Sequence, residues 1–241
     1  MCEARSRAEP LVDVKPNPDR LYGRQRGPTL RPRQRRLLDL ALPRLRFDLA
    51  THAARPLDAF EQADALWVEI GFGGGEHAEA LVARNPQVGL IACEVFENTL
   101  CSLLSRLVPD GAEDTAPAPP RLRLWDADGR ALLRGLPEGS VDRLYLMFPD
   151  PWPKARHAKR RFVHPDNLKL AARALRPGAE WRIASDDPTY QAWVDEVFGA
   201  QDLFEVLPAA DQRPEGWPGT RYEAKAIVAG RTPRYWTFVR R

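Results

Sequence analysis

Ala65-Leu66-Trp67-Val68-Glu69-Ile70-Gly71-Phe72-Gly73-Gly74-Gly75 decides the fold of this chain. Its first six residues form an apolar run of strand length, broken once by Glu69. The glycines then permit a sharp turn into a helical pattern that starts at Gly75, places Ala78, Leu81 and Val82 together, and stops at Asn85-Pro86. Working outward, the same order recurs. Strands are predicted over residues 88–95, 121–125, 141–148 and 180–184, with helices over 96–107, 130–136, 165–175 and 188–198 between and after them. Strand and helix in strict alternation predict the α/β class, a mostly parallel sheet with helices on both faces. The ends depart from the pattern. Residues 33–45 read as a short Leu-rich helix, 109–120 as a mobile loop rich in Pro, Ala and acids, 213–219 as a loop, and 204–207 and 235–239 as closing strands.

At 241 residues and 44% hydrophobic, the chain supports one sizeable core rather than two. The formal net charge of +3 conceals an asymmetry: residues 1–36 hold ten Lys or Arg against four acids, a net of +6, which leaves −3 for the rest. Seven of those cations are Arg20, Arg24, Arg26, Arg31, Arg33, Arg35 and Arg36, interleaved with Gly, Pro and Gln. That composition suits an arm which orders on a phosphate backbone. The expected organisation is therefore a flexible basic arm over 1–36 and a single catalytic domain over 37–241. Cys2, Cys93 and Cys101 are too few and scattered for a disulfide framework, and no apolar run approaches a membrane span or a signal peptide core, so the expected home is the cytoplasm. His52, His77, His157 and His164 show no metal-ligand spacing, and no metal is expected.

The glycine turn lacks the Gly-x-Gly-x-x-Gly fingerprint, since Glu76 holds the sixth place, which weighs against a dinucleotide. Gly71 and Gly73 still let backbone approach a ligand closely. Glu94 ends the second strand about 20 residues on, where a carboxylate can accept from both hydroxyls of a ribose. Glu69 is costly to bury without a cationic or hydrogen-bonding partner, Asp126 follows the third strand at a place suited to an exocyclic amine, and Asp150 follows the fourth. Four carboxylates at successive strand ends suit a cationic nucleoside. S-adenosylmethionine fits them better than NAD, whose pyrophosphate they would repel.

Asp150 lies within Phe148-Pro149-Asp150-Pro151-Trp152-Pro153-Lys154-Ala155-Arg156-His157-Ala158-Lys159-Arg160-Arg161. The prolines stiffen the loop and fix where the carboxylate points. Lys154, Arg156, Lys159, Arg160 and Arg161 then place five cations within eight positions, a grip for phosphates next to a reactive centre.

Residues 149–161 of that stretch, together with Thr220-Arg221-Tyr222-Glu223-Ala224-Lys225, resemble the bacterial tRNA (guanine-N7)-methyltransferases. The resemblance covers residues 65–241 and extends into the arm from Arg20. It implies a Rossmann-like S-adenosylmethionine-dependent methyltransferase fold, with a seven-stranded, mostly parallel sheet and an antiparallel last strand. It implies methyl transfer to N7 of a guanosine in the tRNA variable loop, by a monomer or homodimer. Carried over residue by residue, it assigns cofactor contacts to Glu69, Glu94, Asp126 and Asp150, makes Asp150 the catalytic acid as well, and puts substrate contacts at Lys154, Asp186, Thr220, Arg221, Tyr222 and Glu223. Asp187 adjoins Asp186, so that assignment can slip by one place. The extra glycine at Gly74 is expected to add flexibility and leave cofactor binding intact, and His164 and Asp166, flanking the next helix, read as capping or loop residues. Three other readings compete: a methyltransferase for exocyclic amines, because Asp150-Pro151-Trp152 resembles that signature; an NAD-dependent oxidoreductase; and a non-catalytic nucleic-acid binder, which would leave Glu69 and the glycine turn without a purpose.

Overall fold

The computed structural model describes Leu21, Gly23 and residues 27–241. The first structured element is a helical segment made of α1 (Pro32–Arg36), a π turn over Leu37–Ala41 and α2 (Leu42–Leu45). Pro43 accounts for the π turn: it has no N–H to donate and its ring crowds the preceding turn, so the chain widens and Leu42 N–H donates to the Leu37 carbonyl, five residues back. A short α3 (Leu49–His52) leads to β1 (Ala65–Ile70), α4 (Glu76–Arg84), β2 (Val88–Cys93), α5 (Glu97–Leu107), β3 (Leu122–Trp125), α6 (Gly129–Gly135) and β4 (Val141–Met147). Then follow α7 (Pro165–Ala174), β5 (Leu175–Ser185), α8 (Pro188–Gly199), β6 (Phe204–Val206), α9 (Arg221–Val228) and β7 (Arg234–Arg240).

The strands form one sheet in the order β3-β2-β1-β4-β5-β7-β6, with β1 to β5 parallel and β7 antiparallel to both neighbours. The alternation of β1 sets the two layers. Leu66, Val68 and Ile70 join the core formed with α6, α7 and α8, while Trp67 joins the opposite core with the first helical segment, α4 and α5. Glu69 has the parity of Trp67. The strand order reverses between β1 and β4, and open α/β sheets bind ligands at the carboxyl ends beside that reversal.

The alternating elements lie where the sequence predicts them, and the departures have physical causes. β5 starts at Leu175, five residues earlier than expected. Leu175 pairs with Val141, the exposed Arg176-Pro177-Gly178 bulges out with Gly178 at φ +80°, and pairing resumes at Glu180 with Arg143. The expected mobile loop over 109–120 is pinned instead. Arg44 donates to the carbonyls of Glu113 and Ala116 at 2.9 and 3.1 Å, Arg33 donates to that of Val108 at 2.8 Å, and buried Glu113 pairs with both Arg33 and Arg36 at 3.3 Å. These two arginines of the predicted arm are thus committed to protein partners. Arg20, Arg24 and Arg26 lie outside the described residues. Among the described residues no helix is long and apolar enough to cross a membrane.

Candidate active site

The turns after β1, β2, β3 and β4 enclose a cleft of about 400 Å³. Its floor is the glycine turn, where Gly71, Gly73 and Gly75 all take left-handed φ angles (+71°, +55° and +86°) that a side chain would strain. Gly71 faces open space, so the backbone is bare to a ligand. At Gly74 the Arg221 guanidinium rests on the turn while donating to Glu76 Oε1 at 3.1 and 2.8 Å, and a Cβ there would push against the ends of these two side chains.

Glu94 is held by backbone. Its Oε2 accepts from Gly73 N–H at 3.0 Å, and Oε1 accepts from Val95 and Phe96 N–H at 2.8 and 3.0 Å. Burial pushes its carboxyl above the usual range, the three donors pull it back, and the Asp150 charge adds to the rise. Oε1 is thereby filled, and Oε2, with a single donor, keeps a lone pair for a ribose hydroxyl. Glu69 is 1% exposed, with Oε1 3.0 Å from His77 Nδ1.

Asp126 does not reach the cleft. Arg46 grips it with two bonds of 2.7 and 2.6 Å on the outer side of β3. The acid that lines the cleft after β3 is Asp128, which caps α6 through Arg130 N–H at 2.9 Å and is bonded by the buried Arg130 guanidinium. The helix cap is the signal that separates the two: an Asp directly before Gly129 at a helix start is held by the helix, whereas Asp126 is free to find a distant arginine.

Asp150 lies exposed at the cleft mouth. Two of the three described non-glycine residues with left-handed φ flank it, Phe148 at +52° and Trp152 at +44°. Strain of this kind persists where surrounding structure enforces it, and it clusters at active sites. On the Trp152 side the loop is held by Arg161. This residue does not reach out to phosphate as the basic run suggests. It is 5% exposed, donates to the Pro151 and Trp152 carbonyls at 3.0 and 3.1 Å, and lies 4.9 Å over the Trp193 ring. Trp152 lines the cleft rather than the strand below, with the Arg160 guanidinium 4.8 Å from its ring centre. Lys154 and Arg156 are exposed, and Lys159 and Arg160 border the cleft. Desolvation and the nearby Arg160, Arg156, Lys154 and Lys159 push His157 below its ordinary range, so it stays neutral at neutral pH and adds no charge to this group.

After the loop over 213–219, Thr220 opens the helix α9. Thr220 and Glu223 form a capping box: the Thr220 hydroxyl accepts from Glu223 N–H at 3.0 Å and the Glu223 carboxylate accepts from Thr220 N–H. Glu223 is buried and also accepts from Tyr235 at 2.8 Å and Arg213 at 3.2 Å, so its carboxylate faces inward. Tyr222 leans across Gly73 and lines the cleft, and burial raises its phenol. Asp187 caps α8 through Tyr190 N–H at 3.0 Å, while Asp186 accepts from Arg231 at 2.6 Å near the surface. His164 caps α7 as read from the sequence.

A family profile described as "Putative methyltransferase" matches residues 63–234. The chain is 64% identical to the tRNA (guanine-N(7)-)-methyltransferase of Granulibacter bethesdensis, over 96% of this chain and 100% of that one. It is 48% identical to the protein of the same name in Azorhizobium caulinodans, over 91% and 94%. Among solved structures, the 16S rRNA methyltransferase KamB superposes with a TM-score of 0.57 at 16% identity, over 78% of this chain and 94% of that chain. An antibiotic-related methyltransferase does so with a TM-score of 0.53 at 11% identity, over 75% and 89%. At these identities the superpositions bear on the fold alone.

Proposed function

Since the chain belongs to the tRNA (guanine-N(7)-)-methyltransferase family, we propose that it transfers a methyl group from S-adenosyl-L-methionine to N7 of a guanosine in the tRNA variable loop. The observation that supports this most is Asp150, fixed between two left-handed residues where a nucleoside-sized cleft meets a basic turn. S-adenosylmethionine, when bound, supplies a methyl group activated on a sulfonium. The chain's residues fit it: Glu94 takes a ribose hydroxyl, Gly71 and Gly73 leave the turn open, Asp128 takes the amine-binding role expected of Asp126, and Glu69 offers a carboxylate oxygen that has no partner among the described residues. Guanine N7 carries its lone pair at neutral pH, so alignment contributes more to the rate than a strong base would. Asp150 faces the ring that becomes cationic and stabilises that charge as it develops. Trp152 and Tyr222 wall the place where the base enters.

Lys154, Arg156, Lys159 and Arg160 hold the neighbouring phosphates, with the arm of residues 1–36, apart from Arg33 and Arg36, as a second grip and 37–241 as the catalytic domain. Asp186, Thr220, Arg221 and Tyr222 complete the substrate side. The same proposal makes this a cytoplasmic enzyme, a monomer or a homodimer.

The direct test is incubation with an unmodified tRNA transcript and methyl-labelled S-adenosylmethionine, followed by nuclease digestion and nucleoside identification. Label is expected in 7-methylguanosine. Label in N6-methyladenosine or in protein would sink this reading in favour of an exocyclic-amine methyltransferase. A second expectation concerns salt. The logarithm of tRNA affinity should fall linearly with that of salt concentration, and replacing Lys154, Arg156 or Lys159 singly by Gln should flatten the slope by about 1 each. Titrations in which the three variants keep the parental slope would remove the clamp.

A further inference from the structure

We infer that His77 is a positioning residue for Glu69, holding one carboxylate oxygen so that the other receives the ammonium of the cofactor's amino-acid group. This rests on the cofactor reading above. Glu69 and His77 are 1% and 3% exposed and meet from β1 and α4, with Glu69 Oε1 and His77 Nδ1 3.0 Å apart. An ionised carboxylate only accepts, so in this contact Nδ1 is the donor. Glu69 Oε2 is fully buried and has no partner among the described residues. A carboxylate oxygen in that state is costly, and a cation would relieve the cost.

The space for such a group is present. A chamber of about 10 Å³ is lined by Glu69, His77, Gly71, Thr220, Arg221 and Tyr222, and it shares Gly71 and Tyr222 with the main cleft. That is close to the room one water needs, and an ammonium is of the same size. Two other charges line it, the Arg221 guanidinium and the Glu76 carboxylate, and they are bonded to each other. The Tyr145 ring meets His77 edge-on at 5.3 Å and limits how the imidazole can tilt. Without the Nδ1 donor, Glu69 would be free to turn toward any donor the chamber or solvent offered, and the ammonium would lose a fixed acceptor.

Two ligands separate this role from general damage. S-adenosylhomocysteine carries the amino-acid group and 5′-methylthioadenosine lacks it, so titration calorimetry of the full chain with each reads the ammonium contact apart from the nucleoside contacts. His77→Ala is expected to weaken S-adenosylhomocysteine about tenfold and leave 5′-methylthioadenosine unchanged, while His77→Asn, which keeps a donor near Nδ1, recovers most of the loss. His77→Leu, which fills the same space, gives the same reading should the alanine variant fail to fold. A preference for S-adenosylhomocysteine that is unchanged in His77→Leu, or equal weakening of both ligands, would overturn the assignment to His77. If the unaltered protein binds neither ligand, the cofactor reading fails and this inference goes with it.

Discussion

Asp150→Ala is expected to lower the methylation rate about 10²–10³-fold, the loss seen when one preorganised group facing transition-state charge is removed, while tRNA affinity stays within about twofold. Asp150 makes no contribution to the core: it is exposed, and the turn that carries it is held by Arg161 through the carbonyls of its neighbours. Its substitution should therefore leave stability and the basic grip intact. Asp150→Asn keeps the shape and removes the charge, so it isolates the electrostatic part. The asparagine variant should lose most of what the alanine variant loses. Single-turnover rates with saturating cofactor, beside filter-binding affinities for tRNA, make the comparison. Equal losses in rate and affinity, or an asparagine variant of near-parental rate, would contradict the role given to Asp150.

Arg161→Met should also cost turnover, about 10²-fold if the Asp150 loop shifts by as little as 1 Å, with little change in the salt dependence of tRNA binding. A phosphate-clamp residue would behave in the opposite way. Arg161 is buried, and two carbonyls of the strained loop depend on its donors, each such charge-assisted bond contributing about 1.5–3 kcal/mol. Desolvation already holds its guanidinium below the ordinary arginine range, as expected for a cation spent inside the protein. Methionine fills the stem volume over Trp193 but offers no donor. The check is a pair of measurements on one variant: single-turnover rate, and the slope of tRNA affinity against salt. A parental rate with a slope flattened by about 1 would return Arg161 to the clamp.

The difference between Arg161 and Arg156 marks where sequence reading stops. Both stand in one basic run, and nothing local says that one turns inward beneath the loop while the other stays in solvent; that depends on Trp193 in α8, which comes later in the chain. For Asp126 and Asp128 the limit is partial: an Asp directly before Gly129 at a helix start is a local cap signal, but the partner that removes Asp126 from the cleft is Arg46, 80 positions away. Where the signal is local, the sequence carries it well. The run from Ala65 to Gly75, the acid ending β2 and the proline-bound Asp150 declare a strand end, a ligand turn and a fixed carboxylate without help from elsewhere. The helix α9 was legible too, since Thr220 and Glu223 have capping-box spacing, although the Pro and Gly just before them suggest a continuing loop. The pinned turn at 109–120 was not, because composition reports Pro, Ala and acids and says nothing of Arg33, Arg36 and Arg44 arriving to bind them.

The position of β7 bears on how the protein is made. This strand lies between β5 and β6 and pairs with both, yet it is translated after both. While the ribosome is still producing the segment after β6, the half of the sheet already complete ends at β5 with an open edge, and the three residues of β6 have no neighbour to pair with. The two sides of the fold therefore have unequal histories. The pairing partners of β1 to β4 all precede residue 186, whereas β6 has no partner in the sheet until residues 234–240 exist. A chain cut short before residue 234 keeps that edge of β5 open and is expected to aggregate.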